Sequence, residues 1–370
     1  MKKMMAVMTC LVVLSGIAGF AATASAEDKK VSDMTIGELK SALGFSGYIQ
    51  AGYTYNLENP ASMTNELRAF DGTADSFSLD LVELIFAKDA GLGTAGYKVK
   101  LSAGETAKLI HSAGMGEAGL DAFDLSEAYI SYIAPLGKGL RFDAGKFGTF
   151  IGAEVMEAKD NPNYSRSFLY TWAEPLTHTG VKVSYPISDM VGVSLFIVNG
   201  WDNSTDNNSA KSYGASISLA PAKDITTSFN VLTGPEQAAN NQDSRVLYDW
   251  VATAKLMDKL TFILNADYGR EQNALAPGSA IWGGASAIIK YELTDSVSTA
   301  VRGEYFSDPD GYRTGTAQRL NEVTVSADFA MGDGMIVRPE FRHDISDQAV
   351  FLGGTKKKQD TVALAVMYAW

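Results

Sequence analysis

Residues 359–370, QDTVALAVMYAW, decide how this chain is read. In an extended strand Val362, Leu364, Val366, Tyr368 and Trp370 share one side, and Ala363, Ala365, Met367 and Ala369 share the other. Successive side chains of a strand point to opposite faces, so one face expects apolar surroundings and the other something different. The strand ends on an aromatic residue. A strand of a soluble sandwich ends this way too, so the choice between them depends on what precedes it.

Upstream, the same period recurs. Sixteen strand-like segments cover 44–55, 76–88, 94–104, 122–134, 139–149, 177–185, 190–199, 211–220, 225–233, 245–256, 260–269, 280–292, 297–307, 319–330, 335–344 and 359–370. Their connections alternate between short and long. The short ones include Asp89–Leu92, Pro135–Lys138, Pro186–Asp189 and Pro221–Asp224, with the Pro, Gly and Asp that tight turns demand. The long ones, such as 56–75, 105–121 and 345–358, are polar and rich in Gly, Asn and Ser. Nine of the ten prolines fall in connections; the exception, Pro339, removes a ladder donor inside the fifteenth segment and predicts either a bulge there or a different register.

The two faces differ in kind. The eleventh segment sets Leu260, Phe262, Leu264 and Tyr268 against Thr261, Asn265 and Asp267; the fifteenth gathers Ile336, Arg338, Glu340 and Arg342 on one side. The second is ambiguous, because Glu83 shares a face with Leu79, Leu81 and Ile85. Tyrosines cluster near segment ends (Tyr53, Tyr55, Tyr185, Tyr213, Tyr268, Tyr291, Tyr305, Tyr368), where a ring and a hydroxyl meet different media.

The first 26 residues have the order of a secretory signal: Lys2 and Lys3, the apolar stretch 4–20, then Ala24-Ser25-Ala26. Removing them removes Cys10, the single cysteine, so neither a disulfide nor thiol chemistry is expected. Without Lys2 and Lys3, 29 basic residues face 43 acidic ones, which argues against nucleic acid as a partner. After the signal, no apolar run reaches the about 18 residues that a transmembrane helix needs, whereas a barrel strand crosses with about 9–11. Closed barrels satisfy every backbone group between strands and hide from hydropathy because half of each strand is polar. Between signal and barrel, residues 27–43 form a periplasmic segment. Its apolar spacing at Ile36, Leu39 and Leu43 reads either as a short helix, one that could tuck into a pore, or as a loose leader.

These features predict an all-β, transmembrane, antiparallel up-and-down barrel of sixteen strands over residues 44–370, with short periplasmic turns and long extracellular loops. The terminal pair Tyr368 and Trp370 resembles the signal by which the barrel-assembly machinery recognises outer-membrane strands. Outer-membrane lipid and that machinery are the partners this implies, with the cell outer membrane as the location.

The third long loop departs from the others. Residues 145–187 read GKFGTFIGAEVMEAKDNPNYSRSFLYTWAEPLTHTGVKVSYPI. Gly145-Lys146-Phe147, the run 154–161, Asn163-Tyr164-Ser165-Arg166-Ser167, Glu174-Pro175 and His178-Thr179-Gly180-Val181 resemble the signature of the OmpL-like β-barrel porin-2 family. That resemblance implies an outer-membrane porin. The loop carries Phe150, Tyr164, Phe168, Tyr170 and Trp172, aromatics that are costly in water unless packed. It is expected to fold inward as a constriction lined by Glu154, Glu157, Lys159, Asp160, Arg166 and Glu174; the other reading is an outward loop that stabilises a subunit contact. Four acids against two bases there suggest a weak cation preference. Alternation turns Lys98, Lys100, Arg141, Lys182, Arg302, Glu304, Arg338, Glu340 and Arg342 toward the lumen, with cross-strand opposites pairing.

Catalytic chemistry lacks its usual residues. The three histidines, His111, His178 and His343, are far apart in sequence with no Cys/His cluster, so no metal or other cofactor is expected. His111-Ser112 is the main serine–histidine neighbour, without a third orienting group in sequence. The reading is a passive aqueous channel for small hydrophilic solutes or ions, not an enzyme, with second copies of the chain as candidate partners. Its rivals are a barrel sheath holding a partner such as a cytochrome across the outer membrane, a barrel hydrolase, and a secreted soluble β protein.

Overall fold

The computed structural model describes residues 35–115, 122–275 and 278–370. The expected signal and residues 27–34 lie outside the described residues. Ile36–Leu43 forms a helix, α1. Thr35 starts it with a capping box: its N–H donates to Glu38 Oε2 (2.8 Å) and its Oγ1 accepts from the Glu38 N–H (3.2 Å). This helix falls largely in a unit separate from the sheet.

The sheet has sixteen strands, all antiparallel to their neighbours. The first eight are β1 Phe45–Asn56, β2 Ser76–Lys88, β3 Ala95–Ala103, β4 Phe123–Ala134, β5 Leu140–Gly148, β6 Thr177–Pro186, β7 Val191–Val198 and β8 Ser212–Ala222. The rest are β9 Ile225–Pro235, β10 Ser244–Met257, β11 Leu260–Glu271, β12 Ala280–Glu292, β13 Val297–Asp308, β14 Gln318–Ala330, β15 Met335–Ser346 and β16 Lys358–Ala369. Each pairs with its sequence neighbours, and β16 returns to β1 to close the barrel. The closure is visible at the chain end, where Tyr48 faces Ala369 and Trp370 and Gly47 exchange backbone bonds of 3.1 and 3.2 Å. Closure leaves no sheet edge, the condition for spanning lipid with strands.

Alternation sorts the side chains as the sequence requires. On β16, Val362, Leu364, Val366 and Tyr368 are exposed while Ala363, Ala365 and Met367 are buried. Outward Ile130 and Leu195 are 66% and 63% exposed, and such residues recur around the wall. A continuous exposed apolar surface of this kind is stable only against lipid. Large residues such as Trp282, Phe306, Leu320 and Phe351 are buried with loop residues Ile151, Phe168 and Leu169 in one apolar cluster.

Two details depart from what the sequence predicts. Pro339 makes no bulge: β15 keeps one register with β14 on either side, Glu340 against Ser326 and Val337 against Phe329. The ladder simply skips Pro339 and Arg338 on that side, which is where a missing N–H is tolerated without displacing the strand. The bulges lie elsewhere. In β2, Gln50 faces Leu81 and Ala51 faces Leu79, so Asp80 is the extra residue. That insertion flips the parity and resolves the ambiguity of β2: Leu79 faces out, while Leu81 and Glu83 face in.

The second long loop begins with a short helix, α2 Glu105–Ile110. It then reaches the loop after β7, where Ala113 N–H donates to Asp202 O (2.8 Å), and the start of β6, where Ser112 Oγ meets Thr177 Oγ1 (2.9 Å).

Candidate functional site

The loop between β5 and β6, residues 149–176, lies inside the barrel, bonded to the inner wall. It contains a 3-10 turn, Ala158–Asp160, and a π-helical turn, Leu169–Ala173. A backbone taken out of water needs a partner for each N–H and C=O, and here the wall supplies many of them. Glu340 of β15 accepts the N–H groups of Tyr164 (2.6 Å) and Ser165 (3.0 Å). Glu304 of β13 does the same for Phe168 (2.7 Å) and Leu169 (2.6 Å). Each carboxylate thus brackets two successive amides, and hydrogen bonds to charged groups contribute about 1.5–3 kcal/mol each.

Three arginines complete the seam. Arg302 Nη1 donates to Glu154 Oε1 (2.8 Å) and Ser165 O (2.7 Å), while its Nε meets Glu322 (2.5 Å). Arg338 donates to Ala158 O (2.7 Å) and pairs with Asp328. Arg342 donates to Arg166 O and pairs with Asp344 (2.7 Å). From strands beyond β16 and β1, Lys100 pairs with Glu157, and Asp80, turned inward by its bulge, accepts from the Tyr164 hydroxyl at 2.8 Å.

The six loop residues singled out in the sequence divide into two sets. Glu154, Glu157, Arg166 and Glu174 are buried. Glu154 also accepts the Ser167 N–H (2.9 Å), and Arg166 donates to the carbonyls of Val155 (2.8 Å), Tyr164 and Met156, so both hold the loop in shape. Burial alone would push Glu157 up, but the Lys100 ammonium outweighs it and holds the carboxyl down at about 2. Lys159 and Asp160 are paired with each other at 2.5 Å and keep side-chain exposures of 27% and 52%. The lumen-wall candidates Lys98, Lys100, Arg141, Lys182, Arg302, Glu304, Arg338, Glu340 and Arg342 all stand on inward-facing register positions. Lys98, Arg141 and Lys182 retain water contact, whereas the other six are buried.

Aromatic packing docks the start of the loop. Phe150 stacks on Phe196 of β7 with ring centroids 3.7 Å apart. It can lie there because the neighbouring residue of β8 is Gly214, where a Cβ would come within 2.7 Å of the Phe150 ring. At the level of the loop, inward-facing side chains are buried on strands all around the barrel, from Lys100 and Ser102 through Phe196, Leu232 and Asp249 to Thr361. Below it, toward the short turns, space opens; a cavity of about 490 Å³ there is lined by Gly192, Ser218, Ser228 and Val251.

These observations together describe a barrel narrowed from within by its third long loop. The model of the beta-barrel porin-2, OmpL-like family matches residues 42–370. The chain belongs to the OmpL-like β-barrel porin-2 family. This porin also shares its fold with solved outer-membrane proteins. The DcaP channel of Acinetobacter baumannii is 11% identical, with a TM-score of 0.60 over 88% of this chain and 96% of that one. The anion-selective porin of Comamonas acidovorans gives 9%, 0.60, 88% and 98%, and OprB of Pseudomonas putida gives 12%, 0.58, 95% and 100%. A comparison with curated proteins returned no match.

One acidic group in the porin carries no signal in the sequence. Glu174 of the loop, Asp249 of β10 and Asp267 of β11 bring carboxylate oxygens within 4.8 Å of one another, the spacing of a cation site. The Asn265 amide sits among them, donating to Asp267 (3.1 Å), Glu174 (3.3 Å) and Asp249 (3.3 Å). Burial, reinforced by the Asp249 charge, pushes the Glu174 carboxyl well above the usual range. A protonated Glu174 lets the group pack without an ion. Among the described residues the histidines stand apart from this cluster: His178 is bonded to Thr149 Oγ1 and Gly200 O, both at 3.0 Å, and His343 pairs with Asp360 at 2.5 Å. Ser112 bonds Thr177, not an imidazole.

Alternation identifies which strand residues face in, but it carries no signal for partners supplied by a loop. The brackets made by Glu304 and Glu340 and the slot at Gly214 were therefore outside the reach of the sequence.

Proposed function

We propose that this porin is a narrow, passive channel for small hydrophilic solutes or ions, with the loop at 149–176 as its constriction. The observation that carries this reading is the seam of charged wall residues, Glu304, Glu340, Arg302, Arg338 and Arg342, spent on holding one loop inside the barrel. Such a seam is costly to build from buried ions and has a use where a fixed cross-section matters. Half-buried Lys159, exposed Asp160 and exposed Val155 are the loop's contribution to the passage. The buried Glu154, Glu157, Arg166 and Glu174 set its position instead of touching solute.

No energy coupling or catalysis is part of this reading. A threaded partner protein would have to displace the loop and break its brackets, which favours the channel over the sheath. Trp370 and Tyr368, stacked at 5.9 Å on the outer surface, serve insertion. Liposome swelling tests the proposal: vesicles holding the purified porin should swell in small neutral or charged solutes and not in large oligosaccharides. Vesicles that stay tight to all of them contradict it.

A further inference from the structure

We infer that the passage favours anions, because the charges that water touches on the inward strand positions of its short-turn half are mainly basic. This rests on the channel reading above and adds the class of solute. On the short-turn half of the barrel, inward register positions that are not buried carry Lys98, Arg141, Lys182, Lys255 and Lys290. The last two flank Thr261 across the β10–β11 and β11–β12 ladders, so both share its inner face. The loop adds the Lys159–Asp160 pair, which cancels. Against these bases stand Asp328, already paired with Arg338, and Glu292 at the rim of β12.

The acids that would offset the bases are hidden behind them. Lys98 pairs with Glu127 at 2.9 Å, but the lysine side chain is 29% exposed and the glutamate 11%. Arg141 and Lys182 share Asp143, at 2.9 and 3.8 Å; they are 36% and 34% exposed, the aspartate 4%. At these three positions a passing ion therefore meets the ammonium and guanidinium groups ahead of the carboxylates paired with them. The unshared acids, Glu174, Asp249 and Asp267, are buried at the level of the loop. Exposed charges of one sign in a low-dielectric cleft concentrate the opposite ion, and rings of Arg and Lys are a recognised way to select anions. The four-to-two acid excess read from the loop sequence does not decide selectivity, since three of those four acids are buried.

The test is the reversal potential of the purified porin in a planar bilayer under a tenfold KCl gradient. A chloride-favouring potential is expected, and Lys182→Gln with Arg141→Gln should move it toward zero while current persists. Because that pair leaves Asp143 buried without its cations, Lys255→Glu with Lys290→Glu is the second variant; neither lysine makes an ion pair among the described residues. It should shift the potential toward potassium. A potassium-favouring wild type, or potentials unchanged in both variants, overturns the inference and leaves the channel standing. An absence of current in the wild type overturns both.

Discussion

Arg302 of β13 and Glu154 of the inner loop meet at 2.8 Å, and neither side chain keeps more than 5% of its surface in water. Breaking a buried pair on one side leaves an uncompensated charge and costs about 3–5 kcal/mol. Arg302 also holds Ser165 O and Glu322, so its loss frees the loop at two points. Arg302→Ala should leave the barrel folded, since its ladders are untouched, but expose the loop. Limited proteolysis in detergent should cut within residues 154–167 much faster than in the wild type, with heat-modifiable migration of the barrel retained.

Phe150 is held by Phe196 beneath and by the absence of a side chain at Gly214. The stack contributes about 0.5–1.5 kcal/mol beyond the area it buries. Phe150→Ala and Gly214→Val act by different routes, one removing the ring and the other filling its slot. Both should undock the start of the loop and raise single-channel conductance. Equal conductance in wild type and both variants would place the narrow point elsewhere.

The loop's acids give its docking a pH dependence of known sign. Glu157 is held down near 2 against an ordinary 4.5, so its contribution is present above about 4.5 and is lost as pH falls toward 2. Glu174 is pushed up, so its contribution is intact below 4.5 and declines as pH rises beyond that, when the released loop ionises and the docked one does not. Docking should therefore be tightest in the mildly acidic range. Protease sensitivity of the loop followed from about pH 3 to 9 checks this, and Glu174→Gln should flatten the alkaline side alone.

The indole of Trp370 lies over Gly47, where a Cβ would meet it at 2.1 Å, and its backbone closes β16 on β1. Trp370→Ala removes a large outward side chain at the seam, roughly 1.5–3 kcal/mol of burial against lipid and neighbour. Lower yield in outer-membrane fractions is expected, with normal heat-modifiability for the molecules that insert.

Much of the fold was legible in period two alone. Val362 to Tyr368 facing out and Ala363 to Met367 facing in were readable because a strand leaves no third option. Parity fails only where a residue is added, which is why β2 was ambiguous: nothing in Ser76–Lys88 marks the bulge at Asp80. The site was legible as a segment and not as roles. The aromatics of 149–176 announced burial, yet Glu154 and Asp160 look alike in sequence. One is sealed against Arg302, 148 residues further along the chain, and the other is left in water.

Single-channel current through the purified chain in a planar bilayer, compared between wild type and Phe150→Ala, bears most directly on the claim that a water-filled barrel is throttled by its own loop. Small steady steps are expected for the wild type and larger ones for the variant. Steps of the same size in both, or a protein that inserts and passes no current in either form, would contradict it.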